Sequence, residues 1–324
     1  MGSFALSALL ALSLTACTAE ARPAPPTPIT VQLSWTHQAQ FAGMYVADQK
    51  GYYAAEGLAI TFVEGGPGIV PIDKVLDGTA QFGVTGADVL LVARAEGKPI
   101  RAIATIYRRS PRVYVSLADS GITKPTDFVG KTIAVGRGGG PLLEATLRRV
   151  GIRPDQYKVV ETTPDLASFY SGEVQVRSVF LTNEVLTAQA AGYKINIIYP
   201  DDYGIHFYAD TVFTTDDLIA KDPDLVLRFL RATLKGWTYA VENADEVGAL
   251  VLHYIPQADA AFENKKMMAS IPLVHTGEDY IGWMTPDLWA GMETTLREQS
   301  VLTAPLDVTQ VYTLQFLREV YRKK

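Results

Sequence analysis

Thiol chemistry is almost absent from this sequence. One cysteine, Cys17, occurs in 324 residues, close to the amino terminus, so the body that follows has neither structural disulfides nor a cysteine nucleophile. Histidine is also scarce. His37, His206, His253 and His275 show no close pairing and no Cys/His spacing, which argues against a zinc site. Positive charge is not in excess: 29 basic residues are dispersed among 35 acidic ones for a net charge of −6, so no stripe offers a nucleic-acid footprint. A G-x-S-x-G elbow is missing, and no other nucleophile–base–acid set is visible.

The apolar opening "FALSALLALSLTAC" is too short to span a bilayer and matches the core of a signal peptide, assigned to residues 1–16. Leu14, Thr15, Ala16 and Cys17 resemble a bacterial lipobox, in which the cysteine is lipidated and becomes the first mature residue; the plain alternative is a signal peptide with an incidental cysteine. One departure is that no Lys or Arg precedes the apolar run. Residues 17–28 carry "TAEARPAPPTP", whose closely spaced prolines favour extended polyproline II, a stiff tether.

From residue 29 short apolar strands alternate with amphipathic helices. "ITVQLSW", "LAITFVEGG", "AQFGVTG" and "PIRAIATIY" are the strands of a first unit, and "AGMYVADQKGYYAAEG" is a helix stopping at Gly57. A second unit starts near Val113 with "RVYVSLAD", "KTIAVGR", "YKVVET", "VRSVFLTN" and "INIIYP". Such alternation predicts an α/β fold with mostly parallel sheets. From "DTVFTT" onward the pattern is mainly helical, with Leu225, Val226, Phe229, Leu230, Thr233, Leu234 and Trp237 on one helix face, and this run is expected to pack on the first unit. The organisation is therefore two α/β lobes with a hinge and a cleft between them: lobe 1 over 29–110, lobe 2 over 111–206, and a helical return to lobe 1 over 207–324. Two crossings, near Tyr107–Tyr114 and Tyr199–Tyr208, make the hinge. Open α/β sheets bind ligands beyond the carboxyl ends of their strands, which directs attention to the residues just after each strand.

"LSWTHQAQFAGMYVADQKGYYAAEGL", "LDGTAQFGVTGADVLLVARAEGKPIRAIA", "FVGKTIAVGRGGGPLLEATLRRVG" and "DPDLVLRFLRATLKGWTYAVENADE" together resemble the solute-binding proteins of ABC importers in the thiamine-pyrimidine-synthase-like group. The likeness covers the chain from about Ile29 to the last helices. It implies a type II periplasmic-binding-protein fold that hands a small heterocycle to a membrane permease and its ATPase subunit, with no cofactor of its own. The lipobox at Cys17 adds the expectation of a lipid-anchored protein on the outer face of the cytoplasmic membrane.

Trp35 follows the first strand, where an indole either stacks on a planar ligand, as the family implies, or belongs to the core. His37, Gln38 and Gln40 supply donors and acceptors for amide edges, or else line a solvated loop. Pyrimidine-binding members resemble W-x-P-N-x-x-H here; this chain has His37 for the proline and Phe41 for the histidine, which favours a ligand with more aromatic surface. Gly86 and Asp88 lie at a strand-to-helix junction whose free N–H groups suit an oxygen ligand, with Asp88 equally readable as an N-cap. "GRGGGPLLEA" lacks the Lys-Ser/Thr of a P-loop, so Gly138 and Gly139 are assigned to close backbone approach to ligand, with Pro141 in the first helical turn. Asn183 suits an amide edge, and Glu184 is either a site acid or a first-turn residue. Tyr203, His206, Phe207 and Tyr208 at the second crossing, with Tyr107 and Arg108 at the first, are candidates to clamp a ring.

The family also contains eukaryotic pyrimidine synthases. These resemble "GCCCFC" where this chain reads "GIHFYAD", so catalysis is not expected. Riboflavin is the expected ligand, because an isoalloxazine offers a tricyclic face and a ureide edge and needs no basic phosphate pocket. A hydroxymethyl- or formylamino-pyrimidine is the alternative; a nitrate- or taurine-type ligand is disfavoured by the scarcity of basic clusters.

Overall fold

Apolar residues at alternate positions make strands of β1 (Thr27–Gln32), β2 (Leu58–Val63), β3 (Phe82–Thr85) and β4 (Ile100–Tyr107). Five more follow after the first crossing: β5 (Arg112–Leu117), β6 (Thr132–Val135), β7 (Lys158–Glu161), β8 (Val176–Phe180) and β9 (Ile195–Ile198). β10 (Ala209–Thr215) then returns to the first sheet. The computed structural model describes residues 25–322 except 67, 137–139, 163–164 and 278; Cys17, Gly138 and Gly139 lie outside the described residues.

Two five-stranded sheets result, ordered β2-β1-β3-β10-β4 and β7-β6-β8-β5-β9. Parallel pairing joins β1 to β2 and β3, and β6 to β7 and β8. The expectation of mostly parallel sheets needs correction at the crossings: β10 runs antiparallel to β3 and β4, and β5 antiparallel to β8 and β9. The reason is geometric. Each crossing leaves from the carboxyl end of a strand, so the next strand starts at that same edge and must run away from it. Arg112 and Ala209–Asp210 therefore begin their strands at the cleft edge, and "DTVFTT" is a central strand rather than the start of a helical region.

The lobe 1 core extends into the carboxy-terminal helices. Phe82 of β3 stacks on Phe229 of the helix Pro223–Glu242 at 3.8 Å between ring centroids, and Tyr53 also stacks with Phe229, at 5.7 Å. The seven residues placed on one face of that helix are all buried. Its approach to the helix Ala42–Gln49 is close enough that a Cβ on Gly236 would collide with the carbonyl oxygen of Gly43, and a Cβ on Gly43 with the Trp237 ring. The helix expected over 42–57 is broken in two, because Gly51 takes φ 71°, and restarts as Tyr52–Ala55.

Lobe 2 has smaller cores on each side of its sheet, one around Tyr114, Phe128 and Leu147 and one around Val113, Phe169 and Val179. Its helix Gly140–Arg149 also touches lobe 1: Leu142 and Ala145 join the lobe 1 core, and the Arg148 guanidinium donates to the Glu298 carbonyl at 3.3 Å. No helix among the described residues is long and apolar enough to cross a membrane.

Candidate functional site

The segment after β1 is held in place by polar side chains. Gln32 donates its amide to the carbonyls of Leu33, Val63 and Glu64 at 3.1, 3.2 and 3.0 Å, tying the ends of β1 and β2 together. Gly65 lies so close to the Leu33 carbonyl that a side chain there would collide with it, and its N–H donates to Trp35 O at 2.9 Å. Further along, the His37 N–H donates to Glu64 Oε1 at 2.7 Å and the Ala39 N–H to Glu263 Oε2 at 2.8 Å. Glu263 is itself buried and paired with Lys266 at 2.7 Å. The loop is thus clamped from both sides, and Trp35 is left 40% exposed at the carboxyl edge of the sheet.

Its neighbours do not all face the same way. The His37 ring turns into an aromatic cluster, with Nδ1 2.7 Å from the Tyr45 hydroxyl and its centroid 5.5 Å from that of Tyr254. Burial lowers its pKa, against the opposing pull of Glu64, so the imidazole is neutral at neutral pH. Phe41 is 1% exposed and contributes to the lobe 1 core, a correction to the expectation that it offers a ligand an apolar face. Gln38 and Gln40 are buried in a relay: Gln38 Nε2 donates to Gln40 Oε1 at 2.9 Å, and Gln40 Nε2 donates to both carboxylate oxygens of Asp210, at 2.9 and 2.7 Å.

Asp210 was not singled out in the sequence, yet it stands where the strand ends converge. It is 5% exposed and has φ 43°, a left-handed conformation unusual for a residue with a side chain. Burial pushes its carboxyl up to about 7, partly offset by hydrogen bonds from Gln40 and Ser34 and by the charge of Arg112. The available signal was an acid between "HFYA" and the apolar run "TVF", since buried acids are rare without a partner.

Gly86, not Asp88, is the N-cap residue of the helix Ala87–Ala95; Asp88 sits in its first turn and folds its carboxylate over Gly86. Tyr107 is fully buried and shares hydrogen bonds with Ser270 Oγ, at 2.9 Å, and with the Thr182 hydroxyl of lobe 2. It is a strut at the back of the cleft and not an open ring face. Arg108 is anchored to Asp279 at 2.7 Å. In lobe 2, β8 ends at Phe180, and Asn183 precedes the helix Glu184–Ala190 without capping it. Asn183 donates to Glu184 Oε1 at 3.3 Å, while Glu184 Oε2 accepts the Phe180 N–H at 2.9 Å, closing the turn.

The second crossing departs most from expectation. Tyr208 is 2% exposed, edge-on to Trp289, and accepts the Thr285 N–H at 2.9 Å; Phe207 is also buried. Tyr203 packs against the lobe 2 core. His206 is exposed and pairs through Nδ1 with Asp201 at 2.7 Å, and the same carboxylate accepts Arg109 Nε at 2.9 Å. These side chains brace the hinge and form no aromatic clamp, because the crossing must itself be packed against both lobes.

The geometry is that of two lobes hinged by two crossings, with polar groups gathered at the cleft edge. Residues 38–247 match the family described as NMT1/THI5 like. The chain belongs to that family. Among its relatives is the riboflavin-binding protein RibY of Chloroflexus aurantiacus, 30% identical across 96% of this chain and 96% of its own. Another is a formylaminopyrimidine-binding protein of Halalkalibacterium halodurans, 30% identical across 67% of this chain and 68% of its own. NMT1/THI5-like relatives also include 4-amino-5-hydroxymethyl-2-methylpyrimidine phosphate synthases, one from Legionella pneumophila being 24% identical across 89% of this chain and 92% of its own. In fold the chain is similar to the periplasmic aliphatic sulphonate binding protein SsuA of Escherichia coli, with TM-score 0.70 and 16% identity over 88% of this chain and 91% of that one. The fold is therefore that of periplasmic binding proteins.

Two further residues at the cleft edge escaped the sequence reading. Arg112, half-buried at the start of β5, lies over the Phe180 ring at 5.8 Å and forms no ion pair among the described residues. Thr182 is buried beside Tyr107. No group of three His, Cys, Asp or Glu among the described residues is arranged to hold a metal ion.

Proposed function

We propose that this chain is the substrate-binding component of an ABC importer that captures riboflavin and delivers it to a permease and its ATPase subunit. The observation that carries the reading is the end-to-end likeness to a riboflavin-binding protein, 30% over 96% of both chains. The geometry supports it. Trp35 presents an open indole at the cleft edge, suited to stacking on an isoalloxazine, and the buried amide and carboxylate of Gln40 and Asp210 suit a polar ring edge. Ligand contacts made from both lobes are complete only when the lobes approach, so binding favours the closed form that a permease recognises. No catalytic step is assigned: where the synthases resemble "GCCCFC" this chain has "GIHFYAD". Export and lipidation at Cys17, placing the protein on the outer face of the cytoplasmic membrane, complete the proposal.

A pyrimidine precursor is the second reading, favoured by the formylaminopyrimidine-binding relative. Tryptophan-fluorescence titration separates them. The full chain, purified in detergent and refolded to remove bound ligand, is titrated with riboflavin and with 4-amino-5-hydroxymethyl-2-methylpyrimidine. Saturable quenching by riboflavin, lost in Trp35→Ala, is the expected result; tight binding of the pyrimidine with indifference to riboflavin would overturn it.

A further inference from the structure

Each lobe contributes one charged residue where the chain has just crossed the hinge. Asp210 opens β10 in lobe 1 and Arg112 opens β5 in lobe 2, both at the cleft edge. They feel each other's charge, since Arg112 helps to hold the Asp210 carboxyl down, but they are not in ion-pair contact. Gln40 and Ser34 donate to Asp210, which leaves acceptor capacity above pH 7, where the carboxyl is ionised and has about four lone-pair sites. Among the described residues no acceptor takes the Arg112 guanidinium donors, and the group rests over the Phe180 ring. A donor without an acceptor among the described residues and an acceptor with room left thus open the two strands that follow the crossings, one in each lobe.

We propose that Arg112 and Asp210 together read the imide edge of the ligand, Arg112 donating to a ring carbonyl and Asp210 accepting the adjacent ring N–H. The assignment rests on the flavin reading above and narrows it to planar heterocycles with an N–H between two carbonyls. It also explains how recognition is coupled to closure. One rigid edge bonds to both residues only when the lobes have approached, so a ligand lacking the N–H leaves a buried carboxylate short of a partner.

The test compares riboflavin with N3-methylriboflavin, in which the ring N–H is replaced, by titrating the full chain in detergent. The wild type should prefer riboflavin by about 10-fold or more, the worth of one hydrogen bond to a charged group. Asp210→Gly removes the acceptor and suits the left-handed backbone, and the preference should fall to about 3-fold or less. Arg112→Leu retains packing on Phe180 and should weaken both flavins alike, by about 10-fold. The preference read for Asp210→Gly is a ratio measured within one protein sample, so partial unfolding does not distort it; the Arg112→Leu affinities are corrected for the folded fraction measured by circular dichroism. If the wild type binds both flavins equally, or either variant keeps wild-type values, the edge assignment is wrong and the flavin reading survives. If the wild type binds neither flavin, both fall.

Discussion

Gln40 and Asp210, 170 positions apart, are joined by one side-chain amide that donates to both carboxylate oxygens, at 2.9 and 2.7 Å. The contact links the loop after the first strand to the strand that returns from the hinge. It makes the candidate ligand loop and the second crossing parts of one polar network, to which lobe 2 adds Arg112.

Asp210 makes stability fall as pH rises. Its carboxyl titrates near 7 in the folded protein and near 3.8 when free, so between these values the folded state holds the proton that the unfolded state has lost. Its burial therefore destabilises the fold progressively from pH 4 to above pH 7, by as much as about 4 kcal/mol at 1.36 kcal/mol per unit. Asp210→Asn, which also tolerates the left-handed backbone, should gain stability over the wild type as pH rises through this window. Urea denaturation of both proteins at pH 4.5 and pH 8 checks it; a pH-independent difference would contradict the assignment.

Asp201 ties the crossings together by accepting both Arg109 and His206. Asp201→Asn should lower stability by about 1–3 kcal/mol, the cost of losing charge-assisted bonds at a largely buried carboxylate. Small-angle X-ray scattering should show a broader distribution of lobe separations in the ligand-free protein. An unchanged scattering profile would show that the hinge does not depend on this carboxylate.

Gly236→Ala should be strongly damaging despite its small size. Its methyl group meets the Gly43 carbonyl oxygen and the backbone N of Ala47, neither of which can rotate away. Overpacking of this kind costs about 1–3 kcal/mol or more, read as a lower denaturation midpoint. Gly291→Ala, where a methyl group meets nothing within 4 Å, serves as the control and should leave the midpoint unchanged or raise it slightly, because alanine favours a helix interior.

Glu263→Gln leaves the buried Lys266 ammonium without its counter-ion and weakens the anchor of the Ala39 N–H. Breaking a buried pair from one side costs about 3–5 kcal/mol. Because Ala39 lies between Gln38 and Gln40, riboflavin affinity should fall as well, even though Glu263 lies in the helix Ala260–Val274. Hydrogen exchange across 33–41 should rise in the variant; unchanged protection would separate the ion pair from the loop.

The two-lobed α/β architecture was legible because strands and helices leave strong periodic traces. Strand direction was not. Nothing in "DTVFTT" distinguishes a central antiparallel strand from the start of a helical region, since its direction follows from where the hinge delivers the chain. Among the candidate residues, Trp35 was readable as a large aromatic at a strand end, and it is open. Phe41 and Tyr208 have the same chemistry in similar local contexts, but their rings are consumed by cores assembled from distant helices.

Composition and local pattern alone thus determined a chain without thiols in its body, with alternating α/β units and two crossings. Those properties depend on residues within a few positions of one another. Which aromatics stay open, which acid is buried at the cleft, and which arginine has no carboxylate partner among the described residues were decided only by the tertiary structure. Burial and pairing are set by groups brought together from opposite ends of the chain, as Gln40 and Asp210 are, and the spacing of neighbours along the sequence carries no record of that meeting.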